Sequence, residues 1–166
     1  MTSLERLHER HAAALLRFER ENRVFFARSV PDRGDDYFAG FAARHADLLA
    51  EQATGLIHMH VLVDGRGAVL GRFNLVDVAD GSAELGFRVA ERATGRGVAT
   101  DGVRRVIELA ADDYGLHTLV ASAALDNAGS LGVLRRTGFA AVGEVVLGGQ
   151  PCLRFVRALT PARPGP

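Results

Sequence analysis

The 166-residue chain reads as a single α/β domain, a mixed central β-sheet of about six to seven strands flanked by about four helices. Three observations lead there. Two amphipathic helical stretches come first, and three short apolar strands joined by Asp-Gly dipeptides follow them. The order then becomes strand, glycine-rich loop, helix, strand, helix, which is a βαβ unit with a second helix attached. Composition fits one such unit: with 48% hydrophobic and 24% charged residues, the chain buries a sizeable core without a second domain. No repeat or linker interrupts residues 1–159. The tail, 160–166, reads as loose.

Residues 4–7 form a short lead-in, strand or helix. A helical pattern over 8–22 turns Leu15, Leu16 and Phe18 inward. Pro31 and Gly34 punctuate a loop, and 37–53 return to helix with Phe38, Phe41, Leu48 and Leu49 apolar. Strands are expected over 57–63, 68–76 and 82–89, with Asp64-Gly65 and Asp80-Gly81 as the tight turns of an antiparallel meander. Over 97–113, Ala99, Val103, Val106, Ile107 and Ala110 recur on one helical face. Residues 117–122 are short and β-branched or apolar, as a strand requires. Asn127 is a good N-cap for a second helix, which carries Leu131 and Leu134 on one face and stops at Gly138. Strands over 139–147 and 151–159 then pair across Gly148-Gly149. The sheet is antiparallel at both ends, and the strand before the glycine loop is parallel to the one after the helix.

Several function classes are excluded by composition. Formal net charge is zero and there is no lysine, so all 20 basic residues are dispersed arginines, which argues against a nucleic-acid stripe and rules out a lysine Schiff base. Glu5, Arg6, Glu9 and Arg10 leave no apolar signal segment at the N-terminus, and no stretch approaches the roughly 18 apolar residues of a membrane span. A cytoplasmic protein that binds no membrane is expected. Cys152 is the sole cysteine and reads as a strand residue. His58 and His60 share a strand face, but no further ligand is spaced to complete a metal site, so no metal is expected and both read as partly buried histidines. Phe25, Phe26, Tyr37, Phe38 and Phe41 suit the helical layer, with those before Gly34 able to border the acceptor cleft.

The segment from Glu91 to Thr100 carries the chemistry. Gly95 and Gly97 let the chain turn and aim consecutive N–H groups at an anion, while the helix behind them adds the positive end of its dipole. Alone, Arg-x-x-Gly-x-Gly also describes an ordinary strand-to-helix turn. Its company is more specific.

Arg92-x-x-Gly95-x-Gly97, Asn127-x-x-Ser130 and Gly138-Phe139 together resemble the acetyl-CoA motifs of the GNAT superfamily of N-acetyltransferases. The segments Asn22–Phe26 and Gly71–Leu75 further resemble its branch acting on α-amino groups of ribosomal proteins. The resemblance spans about residues 4–159. It implies a single GNAT-like domain whose two central strands splay apart at the loop, and acetyl-CoA as co-substrate. It places Phe87, Arg88, Val89, Arg92, Gly95, Arg96, Gly97, Val98, Ala99, Thr100 and Asn127 against that co-substrate. The expected reaction is direct acetyl transfer to a primary amine, including a protein N-terminal α-amino group; a homodimer is compatible with the same likeness.

Two catalytic candidates follow from that likeness. Glu84 shares a strand face with Gly86 and Arg88, and a carboxylate there can take a proton from an ammonium through water, with Arg88 as a partner that lowers its pKa. The plainer reading is a solvated or paired strand-end glutamate. Many family members carry a tyrosine four residues before the Gly-Phe pair, but here that position is Leu134. Ser130 is the nearest hydroxyl to the expected sulfur; its plainer reading is a first-turn residue capping its own backbone. The missing tyrosine sustains a rival in which the chain is a non-catalytic acetyl-CoA-binding sensor or assembly module. A nucleotide-phosphate protein is disfavoured because no Gly-Lys-Ser/Thr ending follows the loop.

Overall fold

The structure, a computed structural model, describes residues 1–161. The last five residues of the expected tail lie outside the described ones. The strands are β1 (Ser3–Arg6), β2 (His58–Val63), β3 (Val69–Ala79), β4 (Ser82–Val89), β5 (Thr118–Ala124), β6 (Ala140–Leu147) and β7 (Gln150–Ala158). They form one sheet in the order β1-β2-β3-β4-β5-β7-β6. Every neighbouring pair is antiparallel except β4 and β5. The meander, the parallel pair and the C-terminal hairpin all stand as the sequence predicts.

Among the described residues six α-helices replace the expected four: α1 (Ala12–Glu21), α2 (Arg23–Phe26), α3 (Asp35–Ala39), α4 (Phe41–Ala53), α5 (Val98–Asp112) and α6 (Ala128–Arg136). The extra ones come from breaks in the N-terminal layer. Asn22 donates from Nδ2 to the Phe18 carbonyl (2.9 Å) and accepts the Glu91 N–H on Oδ1 (2.9 Å), so its side chain competes with the helical ladder and ties the joint to the loop after β4. Gly40 separates α3 from α4.

Turn chemistry also differs at one hairpin. Between Ala79 and Ser82, which pair directly, Asp80 (φ 51) and Gly81 (φ 75) form the expected two-residue turn with both residues left-handed. At Asp64 the expected tight turn is a wider loop, because the Asp64 carboxylate accepts the N–H groups of Arg66 (2.9 Å) and Ala68 (3.0 Å) and organises the chain between them.

The core lies against both faces of the sheet. Leu15 and Phe18 of α1 are buried over one face; Val103, Val106 and Ala110 of α5 are buried over the other, against Phe73 and Leu75. Close approach of α5 needs Gly102, where an added methyl would run into the Phe73 ring. Phe155 and Leu119 continue this core under α6.

The feature that positions the site is a partial seam. β4 and β5 pair only at Ser82↔Thr118, Ala83↔Leu119 and Glu84↔Val120. Beyond Glu84 the strands diverge: β4 runs on to Val89, while β5 stays paired with β7 as far as Ala124↔Cys152. A V-shaped gap results, edged by backbone groups that face no neighbouring strand.

Candidate active site

The gap opens into a cleft of about 570 Å³ walled by Phe87 to Val89 of β4, the glycine loop, and the first turns of α5 and α6. Gly95 (φ 72) and Gly97 (φ 75) hold the left-handed conformation that turns the loop back onto α5. Gly97 is the N-cap of α5, and no side chain caps that end. The first-turn N–H groups of Val98, Ala99 and Thr100 therefore face a cleft they also line, with the positive end of a 15-residue helix behind them. An anion fits there.

Not every expected contact is part of this wall. Phe87, Arg88, Val89, Gly95, Gly97, Val98, Ala99, Thr100, Asn127 and Ser130 line it, whereas Arg92 and Arg96 do not. The exposed Arg92 side chain points toward Asp64, 4.0 Å away. The sequence reading missed Ser29, Val30, Ala93 and Thr94 and, on α6, Gly129, Val133 and Arg136. The spacing of the last three, i, i+4, i+7 on α6, marks one helical face, which is the signal that could have found them. Arg136 reaches back to Thr100 Oγ1 (3.5 Å), so a guanidinium stands beside the anion-binding turn. Phe25 and Phe26, read first as packing residues, border this cleft as well.

On α6, Asn127 accepts the Ser130 N–H on Oδ1 (3.2 Å). Asn127 is thus the cap, and Ser130 contributes only its N–H to it. The Ser130 side chain lies where this cleft meets a second one. Leu134, in the position of the family's tyrosine, is 1% exposed and belongs to the core.

The second cleft, about 520 Å³, is lined by Arg33, Arg72, Asn74, Gly86, Arg88 and Ser122, and shares Ser29, Val30, Phe87, Arg88, Asn127 and Ser130 with the first. Beneath it Glu19 of α1, 1% exposed, gathers three guanidinium groups: Arg72 (2.8 Å), Arg88 (3.1 Å) and Arg33 (3.2 Å). Burial alone would push its carboxyl upward, but the charges of Arg72, Arg33 and Arg88 outweigh that and hold it below its usual value. Arg88 is shifted down by burial and by its like-charged neighbours Arg33 and Arg72, against the pull of Glu19. Tyr37 joins through its hydroxyl, 3.3 Å from Arg72.

Arg88 therefore does not partner Glu84, as the shared strand face had suggested. Four residues along a strand span roughly 13 Å, too far for a short ion pair, and Glu19 meets Arg88 from the helical layer. Glu84 instead lies 3.6 Å from Arg154 of β7, which also donates to Ser122 Oγ (3.0 Å). It occupies the last paired position before the strands part, and it is not among the residues lining either cleft. Cys152 is buried at the far wall of the second cleft.

His58 and His60 are packing residues. The His58 ring stacks on Tyr114 at 3.7 Å, and His60 bonds Tyr114 Oη (2.7 Å) and the Phe73 carbonyl (3.0 Å). Burial pushes the His60 imidazole down to about 4, so it is neutral near pH 7. Among the described residues no three His, Cys, Asp or Glu side chains group to hold a metal, and no helix is long and apolar enough to cross a membrane.

A parallel sheet seam that opens at a glycine loop, with an uncapped helix at one end and a second cleft at the other, is the arrangement that the sequence resemblance implies. Residues 2–140 match the family model of the acetyltransferase (GNAT) domain, and the chain belongs to that family. It is similar to the probable N-acetyltransferase YjcK of Bacillus subtilis (strain 168), 26% identical over 132 residues covering 75% of this chain and 72% of the relative. Among solved structures, the ribosomal-protein-S5-alanine acetyltransferase from Vibrio fischeri superposes with a TM-score of 0.89 at 19% identity, over 98% of this chain and 96% of that one. RimJ of Mycobacterium smegmatis, in complex with CoA-disulfide, gives 0.84 at 23% identity, over 95% of this chain and 81% of that one. The chain is an acetyl-CoA-dependent N-acetyltransferase.

Proposed function

We propose that this enzyme acetylates the α-amino group of a protein N-terminus, using Glu84 as base and Ser130 as acid. One observation carries the reading: two clefts approach the sheet seam from opposite ends and meet at Phe87, Arg88, Asn127 and Ser130. The first supplies an anion-binding turn for the pyrophosphate and open strand edges for the pantetheine amides. The second admits the amine. The name of the Vibrio neighbour supports a protein acceptor. Action in the cytoplasm belongs to the same reading, as does a homodimer.

Acetyl transfer forms a C–N bond and breaks the C–S bond of the thioester. The ammonium must first lose a proton, which Glu84 takes through water; after attack the nitrogen gives up a second, which restores to Ser130 the proton that it passes to the departing thiolate. Proton positions thus divide between the two ends of the seam. With Leu134 in the core, Ser130 and Ser29 are the hydroxyl side chains that line both clefts, and Ser130 is the one on α6 beside the expected sulfur.

The test is labelled acetyl-CoA incubated separately with free-N-terminus peptides, amino acids, polyamines and aminoglycosides. Peptide-selective transfer is the expected result, and absence of transfer to every amine would favour the CoA-binding sensor. Glu84→Gln keeps size and polarity while removing the proton acceptor. Turnover should fall roughly 10²-fold at pH 7 and recover partly at pH 9, where more acceptor is already neutral. Equal profiles for mutant and parent would place the base elsewhere.

A further inference from the structure

The second cleft is lined by three arginines, Arg33, Arg72 and Arg88, and by no aspartate or glutamate. Only one carboxylate, the buried Glu19 beneath them, bonds these three. Asp32 and Asp35 pair with Arg23 (2.8 Å each) and Glu84 with Arg154, while Asp36 faces a neighbouring cavity that it shares with Arg33. Each guanidinium carries five N–H donors, and the bonds formed here use few of them. Two of the groups are held in fixed planes, Arg33 over the Tyr37 ring (4.6 Å) and Arg88 over the Phe26 ring (4.5 Å). The surplus is positive, oriented and only about a quarter exposed, at 25% for Arg33 and 22% for Arg88.

This charge opposes an amine substrate unless the substrate brings an anion. An ammonium entering alone meets repulsion, and a polyamine meets more. The same field lowers the pKa of whatever amine does bind, which favours the neutral nucleophile that acetyl transfer needs. The cleft also offers an acceptor for that amine. Asn74 Oδ1 and His45 Nδ1 are the buried side-chain polar atoms left without a partner among the described residues, and Asn74 is the one that lines this cleft. It pairs across the strands with Gly86, where no side chain stands and an added Cβ would meet nothing within 4 Å.

From this we infer that the acceptor is an anionic amine: its nitrogen is positioned at the Gly86 opening beside Asn74, and a carboxylate a short distance away is recognised by Arg33 and Arg88. The inference rests on the amine-transfer reading and narrows it. Side-chain carboxylates at the second and third positions of a peptide, or the α-carboxylate of a free amino acid, present the same chemistry.

The experiment compares kcat/KM for peptides that begin with alanine and carry Glu, Gln or Arg at positions two and three, beside free alanine, alaninamide and spermidine. The acidic peptide should exceed the basic one by roughly tenfold or more at low salt, the scale of one charge-assisted hydrogen bond, and the ratio should shrink as salt rises. Alanine against alaninamide shows whether an α-carboxylate suffices. Arg33→Gln should collapse the acidic-to-neutral ratio, Arg33→Lys should retain most of it, and the KM for acetyl-CoA should stay within about twofold for both. Equal or better turnover of the basic peptide or spermidine overturns the inference while leaving acetyl transfer intact; so does a loss in Arg33→Gln confined to acetyl-CoA. If no amine is acetylated, thermal shift in the presence of CoA decides. A rise with the acidic peptide alone keeps the anion site and removes the transfer reading, and no rise removes both.

Discussion

The two walls that meet at Ser130 are made of different materials. On the co-substrate side the chemistry belongs to the backbone: an uncapped helix end, two left-handed glycines and the unpaired edges of β4 and β5. Most of its residues fall within short segments, Phe87 to Thr100 and Asn127 to Arg136, with Phe25 to Val30 along one border. On the acceptor side the chemistry belongs to side chains drawn from α1, the loop after α2, β3 and β4. Glu19, Arg33, Arg72 and Arg88 are up to 69 positions apart in sequence. A backbone site tolerates most side-chain changes but fails on a change of conformation. A side-chain site has the reverse sensitivity, since each charge depends on the others for its burial.

Glu19→Gln should show the largest effect. Removing the one carboxylate leaves Arg72, 5% exposed, without its ionic partner, and breaking a buried pair in this way costs about 3–5 kcal/mol. Urea unfolding at pH 7 measures it. The pH dependence gives a second reading. In the fold the Glu19 carboxyl sits below its usual 4.5, so its contribution is complete above that value and is lost as pH falls through the lowered one. Parent and mutant stabilities should therefore converge below pH 4.5. A constant gap across pH would mean that packing, and not charge, holds the arginines.

Gly97→Val attacks the other wall. A β-branched residue at φ 75 costs about 1–2 kcal/mol in the free protein, so the mutant should be less stable even before ligand is added. Space is no obstacle, because nothing lies within 4 Å of an added Cβ. Acetyl-CoA at 100 times its dissociation constant stabilises the parent by about 2.7 kcal/mol, and the mutant should gain much less. An equal thermal shift in both proteins would remove the phosphate-turn assignment. The contrast sharpens if Glu19→Gln, where it remains folded, still gains the full shift.

The same division explains what could be read from the sequence. Strands β2 to β7, and the parallel pair, followed from apolar periodicity and turn dipeptides, because those signals are local, whereas the short lead-in that became β1 read equally as strand or helix. The glycine loop was legible for the same reason: its anion site needs only a turn and a helix start. Arg88 was assigned the wrong partner because Glu84 shares its strand face, whereas Glu19 is distant in sequence and reaches it only through folding. Glu19 itself carries no motif. The Asp64 turn widened because one side chain took over two backbone donors, a choice that the Asp-Gly dipeptide does not announce. Arg136 was within reach, since it extends the α6 face that begins at Gly129.

Ser130→Ala is the smallest change and the one that best separates chemistry from structure at the junction. Had Ser130 capped α6, its loss would cost about 1 kcal/mol. The cap is Asn127, which receives the Ser130 backbone N–H, and alanine keeps that N–H. Stability should therefore move by less than about 0.5 kcal/mol, while Asn127→Ala should lose about 1 kcal/mol. Turnover should fall on the order of tenfold, at the weak end for a proton donor because an alcohol is a poor acid. The fall should appear in kcat more than in the KM for acetyl-CoA, since the thiolate that needs the proton exists only as the C–S bond breaks. Melting curves and steady-state rates on the same preparations make the comparison. Unchanged turnover would leave the thiolate to water, and the junction would then be a place where two clefts meet without a donor between them.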